Sequence, residues 1–160
     1  MSNMPSSSSR QSRKHGRRAA AACGRRCLDV SIMKEITVGV VRCKGKLLIL
    51  KRQKNKTYDP DRWEFVSGFI KKSRSLAEQA AEQVSFETGL KPVLEKEGDV
   101  FEVKDEYGKW IIHPFLFSVE SSQVKIRKED HSEYKWADIE ELDRLECVKD
   151  LDKNLVALGL

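Results

Sequence analysis

The chain has 160 residues, of which 39% are hydrophobic and 34% charged. That is room for one domain of ordinary size, and no apolar run approaches the ~18 residues that a membrane span needs. The formal charge of +5 is unevenly placed: residues 1–32 carry seven Lys or Arg and one Asp, a net +6, which leaves −1 for the rest. The basic balance belongs to the N-terminal segment and gives no argument for nucleic-acid binding by the remainder.

Residues 1–32 are rich in Ser, Arg and Ala, with Asp29 the single acid, and read as a disordered basic tail. The composition has a transit-peptide flavour, but Ala19 to Ala22 is too short for a signal core. Another reading is a start placed too early, because Met33 opens M-K-E-I-T-V-G-V-V like a natural domain beginning. The four cysteines, Cys23, Cys27, Cys43 and Cys147, form no C-x-x-C pair and no zinc spacing. That pattern suits a reducing compartment, so the expected location is cytoplasmic.

Residues 33–160 are expected to form the domain. Ile36 to Arg42 is a β-branched run, Lys44-Gly45 turns the chain, and Lys46 to Arg52 returns, which predicts a hairpin. Leu47 to Leu50 is continuously apolar, as in a strand buried on both faces. Gln53 to Arg62 is a polar loop around Tyr58-Asp59-Pro60-Asp61. Trp63 to Ser67 has strand character, with Trp63 a core candidate.

A helix follows from about Ser75, an N-cap with Glu78 three residues on, to Thr88, with Gly89 as its C-terminal cap. At about 100° per residue, Leu76, Ala77, Ala80, Ala81 and Val84 share one face, while Phe86 falls off that stripe. Its ring plugs a cleft, packs under another element, or is exposed. Pro92 to Val103 and Lys109 to Val119 are expected strands around the loop Asp105 to Gly108. The second should be central, with Pro114 marking an edge or bulge and His113 a structural residue. Glu129 to Leu142 is acidic and ends in W-A-D-I-E-E-L. Val148, Leu151, Leu155 and Leu158 predict a closing amphipathic helix over Cys147 to Leu158.

The stretch from Gly68 to Leu90 resembles the Nudix box of the Nudix hydrolases: Gly, five residues, Glu, seven residues, then Arg-Glu-aliphatic-any-Glu-Glu-any-Gly-aliphatic. Gly68, Val84, Glu87, Gly89 and Leu90 fall in register without a gap. Arg74 stands at the first Glu, Glu82 at Arg, Gln83 at the next Glu, and Phe86 at the first of the Glu-Glu pair. Ser67 and Val66 replace the usual Gly and Pro before Gly68. Trp63 matches the tryptophan common before the box, and Glu133 with Trp136 matches a later E-x-x-W.

The resemblance covers about Met33 to Leu160. It implies an α/β fold, an α/β/α sandwich with a mixed sheet. It also implies a pyrophosphohydrolase that uses Mg²⁺ or Mn²⁺ to cut a nucleoside diphosphate linked to another moiety. The metal candidates are Glu87, Glu82 and Gln83, the substrate-binding candidates Arg52, Gly68 and Tyr58, and the loop carboxylates Glu133 and Glu129 the candidate general bases. Magnesium wants hard oxygen ligands, which phenylalanine lacks and glutamine offers only as a neutral carbonyl. The box is therefore degenerate, and the expectation is a protein that binds a nucleotide or other diphosphate compound with weak or lost catalysis. The alternative is an active hydrolase using Glu87 with substitute carboxylates. Arg74 and Glu82 exchange the two charges that brace loop to helix in the family, so that brace is expected with reversed polarity. A homodimer stays open, since many relatives pair through their sheets.

Overall fold

The alternation of apolar residues from Val38 to Leu50 builds two cores, one on each side of a single sheet. Val38, Val40, Leu47 and Ile49 join Trp63, Trp110, Leu116, Leu155 and Leu158 on one face. Val41, Cys43, Leu48 and Leu50 join Val66, Ala80, Val84, Phe115 and Phe117 on the other. This is a computed structural model that describes residues 33–71 and 74–160. The expected disordered tail, with Cys23 and Cys27, lies outside the described residues.

The strands are β1 (Lys34–Cys43), β2 (Lys46–Arg52), β3 (Trp63–Glu64), β4 (Val66–Phe69), β5 (Val93–Glu97), β6 (Phe101–Asp105), β7 (Gly108–Ser118) and β8 (His131–Ala137). The helices are α1 (Leu76–Thr88), α2 (Ile139–Leu142) and α3 (Asp152–Ala157). The sheet path runs β3-β2-β1-β7-β5, with β4 on β1, β6 on β7 and β8 on β2. Pairing of β1 with β7 is parallel and the other ladders are antiparallel, so the sheet is mixed. Helix α1 supplies Ala80 and Val84 to one core and α3 supplies Leu155 to the other, which gives the expected α/β/α layering.

The hairpin forms as its turn residues require. Lys44 and Gly45 both take positive φ, 52° and 82°, the conformation of a two-residue turn matched to strand twist. Helix α1 begins and ends where its caps lie: Ser75 Oγ accepts from the Glu78 N–H at 3.1 Å, and Gly89 adopts φ 73°. The helix comes close to β1 because residue 39 is glycine. A Cβ there would meet Val84 Cγ2 at 2.9 Å and the Phe117 ring at 3.3 Å.

Two expected elements are shorter than their sequence pattern. Pro92 to Val103 is two strands, which pair with opposite ends of β7. The break lies opposite Pro114, whose carbonyl accepts the Gly98 N–H at 2.9 Å. Thus Pro114 interrupts the neighbouring strand rather than β7 itself, which stays central. The closing helix covers only Asp152–Ala157, because Cys147 is drawn into a bridge with Trp63. Phe86 is exposed, with the Arg127 guanidinium 4.1 Å from its ring centroid. No described helix is long and apolar enough to cross a membrane.

Replacing Gly39 by Ala should cost about 1–3 kcal/mol through overpacking. Adding Val84→Ala should recover part of that loss, so the double variant falls short of the summed single costs. Urea unfolding of the four proteins measures this, and strict additivity would contradict the packing described.

Candidate functional site

A cavity of about 420 Å³ opens beside the N-terminal half of the sheet. Its wall includes Arg52 from the end of β2, Tyr58 from the loop, Glu64 from β3, and Ser67 and Gly68 from β4. Gln83 and Glu87 from α1 and His131 from β8 add further polar side chains to it. Gly68 is placed so that a Cβ would meet the Gln83 side chain at 2.9 Å, which explains glycine at this close approach of strand and helix.

The register of β8 decides which of its residues reach the cavity. Leu50 pairs with Tyr134 and Lys51 with Glu133, but Arg52 pairs with His131. That irregularity is a bulge, which re-aims the side chain after it. Simple alternation would put His131 on the same face as Glu133. The extra residue turns it instead to the face shared by Arg52, Glu64 and α1.

The result is a buried polar chain. Arg52 Nη1 donates to Glu64 Oε1 at 2.9 Å, and Arg52 Nε donates to the Tyr58 carbonyl at 2.7 Å. His131 Nε2 lies 2.8 Å from Glu64 Oε2, and Ser67 Oγ donates to Glu64 Oε1 at 3.3 Å. Gln83 Nε2 donates to Glu87 Oε2 at 2.8 Å. Glu87 Oε1 and His131 Nδ1 face each other at 3.7 Å, and neither has a hydrogen-bond partner among the described residues. Burial holds the Glu87 carboxyl above its ordinary range, an effect that the nearby His131 only partly offsets.

Among the candidates named from the sequence, Glu87, Gln83, Arg52, Gly68 and Tyr58 meet in this wall. Glu82, Glu129 and Glu133 do not. Glu82 is exposed and pairs with Arg74, the brace with exchanged charges, which holds the Glu82 carboxyl below its usual range. Glu133 is turned out beside Lys51, 3.9 Å away, and Glu129 pairs with Arg127 at 3.6 Å. Asp130 does line the cavity, but Lys56 at 2.5 Å and Arg127 at 3.2 Å hold it as an ionised carboxylate. His113 pairs with Glu35 at 2.6 Å outside the cavity wall.

Glu64 and His131 were missed by sequence reasoning. A trace of Glu64 was available, as a carboxylate between the core residues Trp63 and Phe65. The inward turn of His131 depends on the bulge and left no local signal.

The residues present do not fit the divalent metal cluster that the fold family implies. Among the described residues no three His, Cys, Asp or Glu side chains are grouped to hold an ion. Both oxygens of Glu64 are engaged by Arg52, Ser67 and His131, and Gln83 turns its N–H rather than its carbonyl to Glu87.

A family profile described as the NUDIX domain matches residues 33–158. No curated protein sequence matches the chain. The MutT protein from Methanosarcina mazei Go1 is a structural neighbour at 23% identity and TM-score 0.67, covering 76% of this chain and 88% of that one. An Ap4A hydrolase from C. elegans, solved as a binary complex, aligns at 12% identity and TM-score 0.65, over 79% and 95% of the two chains. The NUDIX domain of NrtR from Shewanella oneidensis, solved with ADP ribose, aligns at 16% identity and TM-score 0.66, over 78% and 85%.

The raised Glu87 proton affinity has a stability consequence. A carboxyl whose folded value lies above its ordinary 4.5 favours the fold in its protonated form and disfavours it as pH rises through that raised value. Glu87→Gln should therefore be more stable than the parent at pH 7, with the gap closing as pH falls toward 4.5. Thermal melts across this range measure it, and a variant less stable at pH 7 would contradict the account. With its profile spanning most of the described residues, the chain belongs to the NUDIX domain family.

Proposed function

We propose that this chain binds a nucleotide or another diphosphate-bearing small molecule in the cavity, with metal-dependent hydrolysis weak or lost. The observation that carries the reading is the state of the two buried acids at the site. Glu87 is the only carboxylate that remains at the box's metal positions. Glu64 beside it is already paired with Arg52 and His131. One acid with a neutral amide neighbour is a poor platform for a cluster of hard cations.

Ligand binding has its own support. Lys71 lines the cavity, and Lys56 and Arg52, each already paired with a carboxylate, add further cationic groups to the same wall, where phosphate oxygens would meet them. Tyr58, Phe69 and Trp110 form an aromatic cluster on the same wall, with Tyr58 edge-on to Trp110 at 5.1 Å and Phe69 stacked with Trp110 at 6.2 Å. Such rings give a flat moiety an apolar surface. Related folds hold ADP ribose in NrtR and act on Ap4A in the nematode enzyme, which is the ligand class proposed here. A general base must lie within hydrogen-bond reach of the attacking water. Glu129 and Glu133, outside the cavity wall, offer no support for that role, and Asp130 is committed to Lys56 and Arg127.

The test is a paired measurement with ADP-ribose, Ap4A and nucleoside triphosphates. Saturable binding is expected in the presence of EDTA, with turnover in Mg²⁺ or Mn²⁺ no greater than in the Glu87→Gln protein. Metal-dependent turnover that Glu87→Gln abolishes would instead establish an active hydrolase.

A further inference from the structure

A second concavity, of about 390 Å³, adjoins the first where β6 meets the chain around α3. Val103, Lys149 and Asp150 line both. Four lysines surround it, Lys104 and Lys109 from the β6–β7 hairpin and Lys149 and Lys153 from the chain around α3, against two carboxylates, Glu102 and Asp150. The two acids are taken up by two of the lysines: Lys109 Nζ lies 3.4 Å from Glu102, and Lys153 Nζ lies 3.5 Å from Asp150. Lys149 Nζ donates to the Lys104 carbonyl at 2.6 Å, a neutral acceptor that leaves its charge uncompensated. Lys104 itself pairs with no carboxylate among the described residues. In the ladder Lys104 stands directly opposite Lys109, and like charges that face each other across a ladder disfavour it. The Lys149 bond draws a third ammonium to the same strand. An anion in the concavity relieves a repulsion that the fold alone leaves standing.

We infer that this concavity is a subsite for a phosphomonoester, carried by the same ligand whose diphosphate occupies the main cavity. The inference rests on the diphosphate-binding reading above and adds the class of ligand: a nucleoside diphosphate compound with a further phosphate on its ribose. A phosphomonoester at neutral pH brings a charge near −2 and three strong acceptor oxygens. The two uncompensated ammonium groups, Lys104 and Lys149, match that charge, whereas a carboxylate would bring half of it. The shared wall lets one molecule reach both places. Its diphosphate meets Arg52, Lys56 and Lys71, and its body crosses the apolar wall at Val103 to the lysines beyond. A nucleic acid fits less well. Backbone diesters carry one charge each and call for a track of cations. Here the lysines are gathered at one concavity, on residues 33–160 that are net −1.

Two ligand pairs isolate the monoester: ADP-ribose against its 2′-phosphate, and dephospho-coenzyme A against coenzyme A, which adds a 3′-phosphate. Inorganic pyrophosphate reports the diphosphate half alone. Equilibrium titration of the whole chain should show at least one phosphorylated ligand binding about tenfold more tightly than its partner, a preference that shrinks as salt is raised. Lys104 is exposed and stands outside the main cavity wall. Lys104→Glu should bring that pair to within about twofold, while Lys104→Arg keeps the preference and both variants bind pyrophosphate as the parent does. Lys104→Gln takes the place of the charge reversal if that variant does not fold. Equal binding within both pairs by the parent, with pyrophosphate still bound, would overturn the subsite and leave the diphosphate reading standing. A preference that Lys104→Glu leaves intact would overturn it too. So would a 5′-diphosphate oligonucleotide that binds more tightly than every phosphorylated probe and weakens with Lys104→Glu, since the lysines would then serve nucleic acid. If no probe binds, pyrophosphate included, the diphosphate reading fails and this inference fails with it.

Discussion

A buried ion pair between Arg52 and Glu64, extended by His131, is the constraint on which the site depends. Its three members come from β2, β3 and β8, and none of the side chains is more than 15% exposed. A charge taken out of water is costly unless it is paired and hydrogen-bonded, so the arrangement survives only as a set. It places Arg52 at the cavity, consumes the hydrogen-bonding capacity of Glu64, and stands His131 against Glu87. Removing Arg52 alone would leave Glu64 with one cationic neighbour fewer in a dry place.

The shape of the stretch from Gly68 to Leu90 rests on demands separate from those of a cation site. The close approach of strand and helix at Gly68 and the caps at Ser75 and Gly89 are backbone requirements, and they are met. The loop-to-helix brace is a matter of opposite charges, and it survives with the charges exchanged between Arg74 and Glu82. Ligand positions for a cation are different, because they need oxygens on one side of the helix. There Gln83 bonds to Glu87 rather than standing as a second carboxylate, and Phe86 faces solvent under Arg127. Scaffold and chemistry have separate physical demands, so one can persist without the other.

Much of the fold was legible because it rests on local rules. The hairpin follows from Lys44-Gly45, the limits of α1 from its caps, and the two-sided burial of Leu47 to Leu50 from its unbroken apolar run. Shorter strands and a shorter last helix were not legible, because they depend on partners distant in sequence: Gly98 with Pro114, and Cys147 with Trp63. The site was legible only in part, for the same reason. Glu87 and Gly68 sit in a fixed frame, whereas His131 reaches the cavity through a β-bulge that inverts its face. Glu133, the carboxylate suggested by its spacing to Trp136, keeps its regular pairing with Lys51 and lies outside the cavity wall.

The central claim is that the donor set at α1 no longer supports a cluster of divalent ions. Counting bound Mn²⁺ by electron paramagnetic resonance, in the absence of nucleotide, tests this without relying on turnover. At stoichiometric metal and micromolar protein, the account predicts that nearly all Mn²⁺ stays free, with at most one weak ion per chain. Two or more tightly held ions per chain would contradict it.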